Sequence, residues 1–290
     1  MNMDEFLNLI KEFELEPVQS YLEQNSKKSV KILLSSKETY KQVGNSRIAG
    51  FPDVPENFLW PRAEEGEPLT FIAQLNLAEI QGQAGTELLP QKGMLYFFTG
   101  IDEPAYDIEH KVIFVPEPSN LRFLKIDEPT SLELLDHYEE TVAHCVHFKS
   151  SLSVPNYAYV DEKVLDEKGV DIENYFAFEE SFYVDGQLGH MFAYPQGQHG
   201  DAEFAAALRL LAQKDYDYNP EKALDYLANT VKSKETAEYE VKNIQMLLEL
   251  DSDQDVNFCW WDAGCIHYFL RKNDLLAGIF DRTYMSLYSS

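Results

Sequence analysis

Positive charge is scarce in this chain. It has 24 Lys and Arg against 50 Asp and Glu, a formal net charge of −26. Nucleic acids and anionic membrane surfaces are bound by displacing counterions with Lys and Arg, so this composition argues against both as partners. It leaves a basic protein partner open, and it also serves solubility. Long apolar runs are lacking too: no stretch approaches the ~20 residues of a membrane span. The start, Met1 to Glu5, has neither the basic nor the apolar region of a secretory signal. Only three cysteines occur, Cys145, Cys259 and Cys265. An odd number without paired spacing reads as reduced core thiols, and cytoplasmic residence is the expectation.

Nucleotide-binding glycine motifs are absent, as is the Gly-x-Ser-x-Gly turn of serine hydrolases. Gly197 to Asp201 precedes a helix and reads as a turn with Asp201 as N-cap. His144, Cys145 and His147 lie close in sequence, but in a strand His144 faces away from the other two. Asp251, Asp253 and Asp255 alternate as in a calcium loop, yet Val256 stands where glycine is needed. Cys265 and His267 share one strand face without a third orienting group. These readings predict no metal, no cofactor and no catalytic residue.

Aromatics are plentiful: 18 Phe, 17 Tyr and 3 Trp. Such residues suit half-buried sheet positions, so a substantial sheet is expected. Strands are predicted at 29–34, 69–76, 94–99, 111–115 (with 121–126 beside it), 140–152, 243–250, 265–271 and 282–288. Between the third and fourth lies a polar stretch, 100–110. Helices are predicted at 3–15, in two pieces across 161–184, at 201–213, at 220–229 and near 273–280. In strand 69–76, Leu69, Phe71, Ala73 and Leu75 alternate with Thr70, Ile72, Gln74 and Asn76.

One pattern appears twice. Residues 71–77 and 247–251 are apolar strands, and each precedes a loop, a glycine (Gly93, Gly264) and an aromatic strand. Gln74 lies 19 residues before Gly93, and Glu249 lies 15 before Gly264, a loop difference easily tolerated. Residues 47–52 and 189–195 precede the two copies and share an Ala, an aromatic and a Pro. The expectation is one α+β domain over 1–290, built by internal duplication. Its pseudo-repeat halves fall at about 30–150 and 185–290, with an antiparallel-rich sheet and flanking helices.

Four segments, Ser46 to Pro61, Pro68 to Leu77, Leu89 to Phe98 and Trp260 to Gly264, resemble the YwqG-like family of bacterial proteins of unknown function. The likeness spans about residues 30–285. It departs where Arg47 replaces Lys, Ala49 replaces the first of two glycines, Glu249 replaces Gln and Trp261 replaces Gly. Trp261 there argues against a left-handed backbone at that turn. The resemblance implies a duplicated α+β fold, no assigned activity and, from gene neighbourhoods near toxin systems, an immunity role.

Arg47, Trp60, Gln74, Trp260, Trp261 and Asp262 come from matching pieces of the two copies and form the predicted binding groove. The readings left open are a non-enzymatic interaction protein that binds a basic partner, a ligand-binding protein or enzyme using a cleft between the repeats, and a structural role. One continuous acidic face with exposed aromatics would favour the first. A deep pocket holding a buried carboxylate or His of shifted pKa would favour the second. Oligomeric state is not legible.

Overall fold

A computed structural model describes residues 3–101 and 108–289, so part of the polar stretch 100–110 lies outside the described residues. The chain opens with α1 (Met3–Glu12), α2 (Gln19–Asn25) and the long β1 (Lys27–Lys37). Then come β2 (Arg47–Ile48), β3 (Asp53–Val54), β4 (Thr70–Asn76), α3 (Leu77–Ile80), β5 (Met94–Thr99) and β6 (His110–Val115). After β7 (Arg122–Phe123) and β8 (His144–Ser153) stand α4 (Glu162–Lys168), α5 (Ile172–Glu180) and β9 (Gln187–Met191). The last part holds α6 (Ala202–Ala212), α7 (Pro220–Val231), α8 (Lys234–Lys242), β10 (Ile244–Asp251), β11 (Cys265–Arg271), α9 (Lys272–Leu276) and β12 (Thr283–Tyr288).

Ten strands form one antiparallel sheet in the order β12-β11-β10-β9-β1-β8-β2-β4-β5-β6. The fold is therefore mixed α+β. The sheet curls until its outermost strands approach each other. His110 Nε2 on β6 lies 3.1 Å from Thr283 Oγ1 on β12, and the Tyr268 hydroxyl donates to the Phe98 carbonyl at 3.3 Å. Strand twist accumulated over ten strands gives this curvature. The concave face holds the main core, including Val30, Ile48, Phe97, Val146, Leu250 and Tyr268.

The convex face is covered in three patches. The helices α1, α2, α4 and α5 bring Phe6, Leu22, Tyr175 and Phe178 together. The helices α6 to α8 pack Ala206, Leu227 and Ala237 against Phe269. The proline-rich segment lays Val54, Ala63 and the half-buried Trp60 over Phe71 and Phe98. Prolines 52, 55 and 61 keep that segment extended, so it covers the sheet as a strap. With covers on both faces, β4 is buried on both sides up to Asn76.

Several expectations need correction. The strict alternation along 69–76 is interrupted by a bulge between Phe71 and Ala73. Phe71 therefore packs under the strap, while Ile72, Ala73 and Leu75 all reach the main core. Residues 121–126 do not pair beside β6. After Pro116 and Pro118 the chain turns away, and β7 pairs with β3 instead. The charged stretch 232–242 contains a helix, α8, capped by Ser233, whose hydroxyl accepts from the Thr236 N–H. Its inward face has only Ala237, Glu240 and Val241, too polar a set to show as an apolar stripe. Glu240 is held by two hydrogen bonds from Arg271, at 2.9 and 2.6 Å. Trp261 has φ 51° and Ala263 φ 60°, so that turn is left-handed without glycine.

The two strand pairs share a register. β4 and β5 slip between Phe71 and Ala73, and β10 and β11 slip between Met246 and Leu248. The Gly93 carbonyl accepts from the Leu77 N–H at 3.0 Å, and the Gly264 carbonyl from the Ser252 N–H at 2.9 Å. Ala49 and Phe192, one residue beyond β2 and β9, both have φ 60°.

Candidate functional site

The groove residues read from sequence fall in three surroundings. Arg47 and Gln74 are direct cross-strand partners on β2 and β4 and are fully buried. Arg47 forms a close ion pair with Asp53, and its Nε lies 3.3 Å from Glu38 Oε2. It donates to the Phe51 carbonyl at 3.0 Å and to Asn45 Oδ1 at 2.8 Å. Gln74 accepts from the Asp53 N–H and donates to the Asn45 carbonyl, both at 2.7 Å. Burial opposes the Glu38 charge, yet Asn45, the Tyr40 N–H and Arg47 hold its carboxyl below the usual range. This cluster ties the loop after β1 to the sheet and uses its donors internally.

Trp60 packs against Phe98 and donates to the Leu69 carbonyl at 2.8 Å. Trp260 is buried beside Phe258 in the main core, while Trp261 and Asp262 are exposed on the following turn. These last three line a broad cavity of about 1010 Å³ with Tyr138 and Asn257. Asp253 Oδ1 accepts from the N–H groups of Asp255 and Val256, at 2.8 and 3.1 Å, so the alternating aspartates close a turn. Cys145 Sγ donates to Glu38 Oε2 at 3.3 Å, and His147 is exposed.

A different set converges at the other end of the sheet. The register of β12, β11, β10, β9 and β1 places Ser286, His267, Glu249, His190 and Lys31 side by side in one row. The row lies on the convex face. Glu249 has no exposed surface, His267 is 2% exposed and Lys31 6%. His267 Nε2 lies 2.7 Å from Glu249 Oε2, and His190 Nε2 lies 2.9 Å from Glu249 Oε1. The second is an ion-pair contact rather than an aligned hydrogen bond. The Gln196 N–H donates to Glu249 at 2.8 Å, and the Ser286 hydroxyl meets His267 Nδ1 at 3.3 Å. At the matching place in the first strand set stand Arg47, Gln74 and Tyr96.

Electrostatics define what this row can do. Burial opposes charge on Glu249, but the two imidazoles hold its carboxyl well below the usual range. Burial likewise opposes a proton on His190, and Glu249 overrides it, so the imidazole's pKa is raised. Lys31 is pushed down to about 8, first by burial and then by Lys149. On the opposite wall, burial and Glu180 raise the Glu179 carboxyl. A cavity of about 690 Å³ opens over the row, with Lys31 and His190 on its floor and Glu179, Tyr183 and Tyr194 among its walls. That volume suits a small molecule.

Glu249, Cys265 and His267 form the one group, among the described residues, whose donor atoms gather within 4.8 Å as a metal site requires. As placed, they fit a hydrogen-bonded relay better. The 2.7 Å between His267 Nε2 and Glu249 Oε2 is a hydrogen-bond distance, whereas two such ligands around zinc stand roughly 3.4 Å apart. Burial and then Glu249 push the Cys265 thiol far up, away from the thiolate a metal needs.

In the sequence Glu249 stands out as a departure from the family pattern, and Cys265 with His267 as a lone pair of neighbours; their union with His190 and Lys31 is not visible there. The usable signal was a carboxylate inside the apolar run Met246 to Leu250, since a buried charge must have a partner.

No helix among the described residues is long and apolar enough to cross a membrane. A comparison with curated proteins finds no match. Residues 46–288, most of the chain, match the family model of a domain of unknown function, DUF1963, and the chain belongs to that family.

Proposed function

We propose that this protein binds a small molecule in the cleft over Lys31 and His190, and that the cleft transfers protons as an enzyme site does. The observation that carries this reading is the row His190–Glu249–His267 beneath a 690 Å³ cavity. A buried carboxylate that fixes and charges an imidazole at a cavity floor is the arrangement of a general acid–base. Glu249 orients His190, and His267 secures Glu249 from the far side. On this reading the two strand sets are halves of an internal duplication. One half keeps the polar row as a structural tie at Arg47 and Gln74, and the other opens it to a ligand.

The test uses a cavity-filling variant. A Cβ added at Gly197, on the cavity wall, meets nothing within 4 Å, so Gly197→Trp places a large ring there without a backbone clash. The wild-type protein, dialysed against a metabolite extract and then denatured, should release a stoichiometric small molecule seen by mass spectrometry, and the variant should not. Equal retention by both, or none by either, would reject the cleft.

The interaction reading rests on the net charge of −26 and on the immunity role that the likeness to YwqG-like proteins implies. The exposed Tyr226 and Tyr239 on α7 and α8 do not add to it: the acids Glu221, Asp225, Glu235 and Glu238 stand there among Lys222, Lys232 and Lys234, and Lys214 Nζ lies 3.8 Å over the Tyr226 ring. Association with such a partner should slow steeply as salt rises, and a salt-independent rate would count against it.

A further inference from the structure

Lys31 stands in the middle of β1 on the convex face, directly opposite His190 on β9 and Lys149 on β8. Both cross-strand neighbours are basic. Among the described residues no carboxylate lies within ion-pair distance of Lys31. The contrast with Lys27, four residues earlier on the same strand, is direct: Lys27 is also drawn in, but Glu203 lies 3.6 Å from its Nζ and the Tyr194 ring 3.8 Å away. In a chain with 50 acidic residues, one buried lysine facing a cavity has no counter-ion among the described residues. A buried amine beside other cations gives up its proton readily and becomes a nucleophile. Burial and Lys149 bring Lys31 down to about 8, so near that pH about half of it is neutral.

We propose that Lys31 is the covalent residue of the cleft: its amine condenses with a small neutral aldehyde or ketone to form an imine, and His190 supplies the proton for the departing hydroxyl. This rests on the reading of the cleft as a small-molecule site. The Nζ lone pair forms a bond to the carbonyl carbon, and the C=O π pair moves to oxygen, which takes up a proton. The nitrogen loses its proton to give a carbinolamine. The hydroxyl then leaves as water with the His190 proton as the C=N bond forms, and the N–H proton of the resulting iminium returns to the neutral His190 to give the imine. One water is released and nothing is oxidised or reduced. Glu249 holds His190 in its charged form and lets it be reprotonated. Glu179 and Glu180 on the wall offset the basic Lys31 and His190 on the floor, and a neutral carbonyl compound suits that balance of charge. Gln187 Oε1, buried on the same wall, has no hydrogen-bond donor, which suits a ligand hydroxyl.

The test is reductive trapping. The folded protein is treated with propanal and cyanoborohydride at mildly acidic pH, and propylated lysines are mapped by mass spectrometry over time. An ordinary amine at 10.5 is about 300-fold less neutral there than one at about 8. Lys31 should therefore be labelled at least ~50-fold faster than the exposed Lys92. His190→Gln should slow Lys31 labelling by at least about tenfold relative to Lys92, since a lost general acid typically costs ~10²–10⁴-fold. Labelling of Lys31 no faster than Lys92 would overturn the imine. If the wild type still retains a small molecule that Gly197→Trp loses, the cleft stands and only the covalent step falls. If retention is lost as well, both fall.

Discussion

Lys31 and Glu249 are charges drawn out of water, and stability should respond to each with an opposite sign. Lys31 binds its proton less tightly folded than unfolded, so its penalty is complete below about 8 and disappears as pH rises toward 10.5. Lys31→Met should raise stability at neutral pH by about 1–2 kcal/mol, less than the full shift because the amine faces a cavity open to solvent, and flatten the gain between pH 8 and 10.5, as read by urea unfolding at several pH values. Unchanged stability in that variant would mean that the lysine finds water or a partner.

His190 behaves the other way. Its raised pKa makes its contribution complete below 6.5 and lost as pH climbs through the raised value. Glu249, held low, contributes above 4.5 and loses that contribution as pH falls below it. The pair is therefore at full strength between about 4.5 and 6.5. Glu249→Gln should cost about 3–5 kcal/mol near pH 6, because it strands two buried imidazoles. The same variant should lose the decline in stability above pH 6.5, which the same unfolding series would reveal.

At the scale of elements, close packing of strands fixes the row. Gly189 on β9 lies against β10 so tightly that an added Cβ would sit 2.0 Å from the Glu249 carbonyl oxygen. Gly189→Ala must push β10 away and separate His190 from Glu249. We expect a loss of more than about 3 kcal/mol in thermal or urea unfolding. A near-neutral result would show that β9 and β10 can slide. α8 gives a gentler case. Glu240→Ala removes both hydrogen bonds to the partly buried Arg271 and should cost about 1–3 kcal/mol without touching the cleft.

For the whole molecule, −26 is a self-repelling charge on a compact body. Raising ionic strength from roughly 10 to 150 mM should shorten the Debye length to about 8 Å and raise Tm by a few degrees. A salt-independent Tm would place the compensation inside local ion pairs such as Arg47 with Asp53 and Glu38.

Local period and local chemistry carried much of this architecture in plain view. The strands 94–99 and 265–271, the caps at Asp161 and Asp171, the Pro220 start and the left-handed Gly169 stop all depend on residues a few positions apart. Composition likewise determined the aromatic sheet. What only the tertiary structure decided is which strands lie next to which, and in what register. Phe71 and Ala73 look alike in alternation until one bulged residue sends them to opposite faces. Arg47 and Gln74 were legible as members of one predicted groove, but whether they lined a groove or closed a knot depended on Glu38, Asn45 and Asp53 arriving from a neighbouring loop. His190, Glu249 and Lys31 are separated by 59 and 159 residues along the chain. No short-range pattern joins them; the strand order β10-β9-β1 does, and it makes three ordinary polar residues into a site.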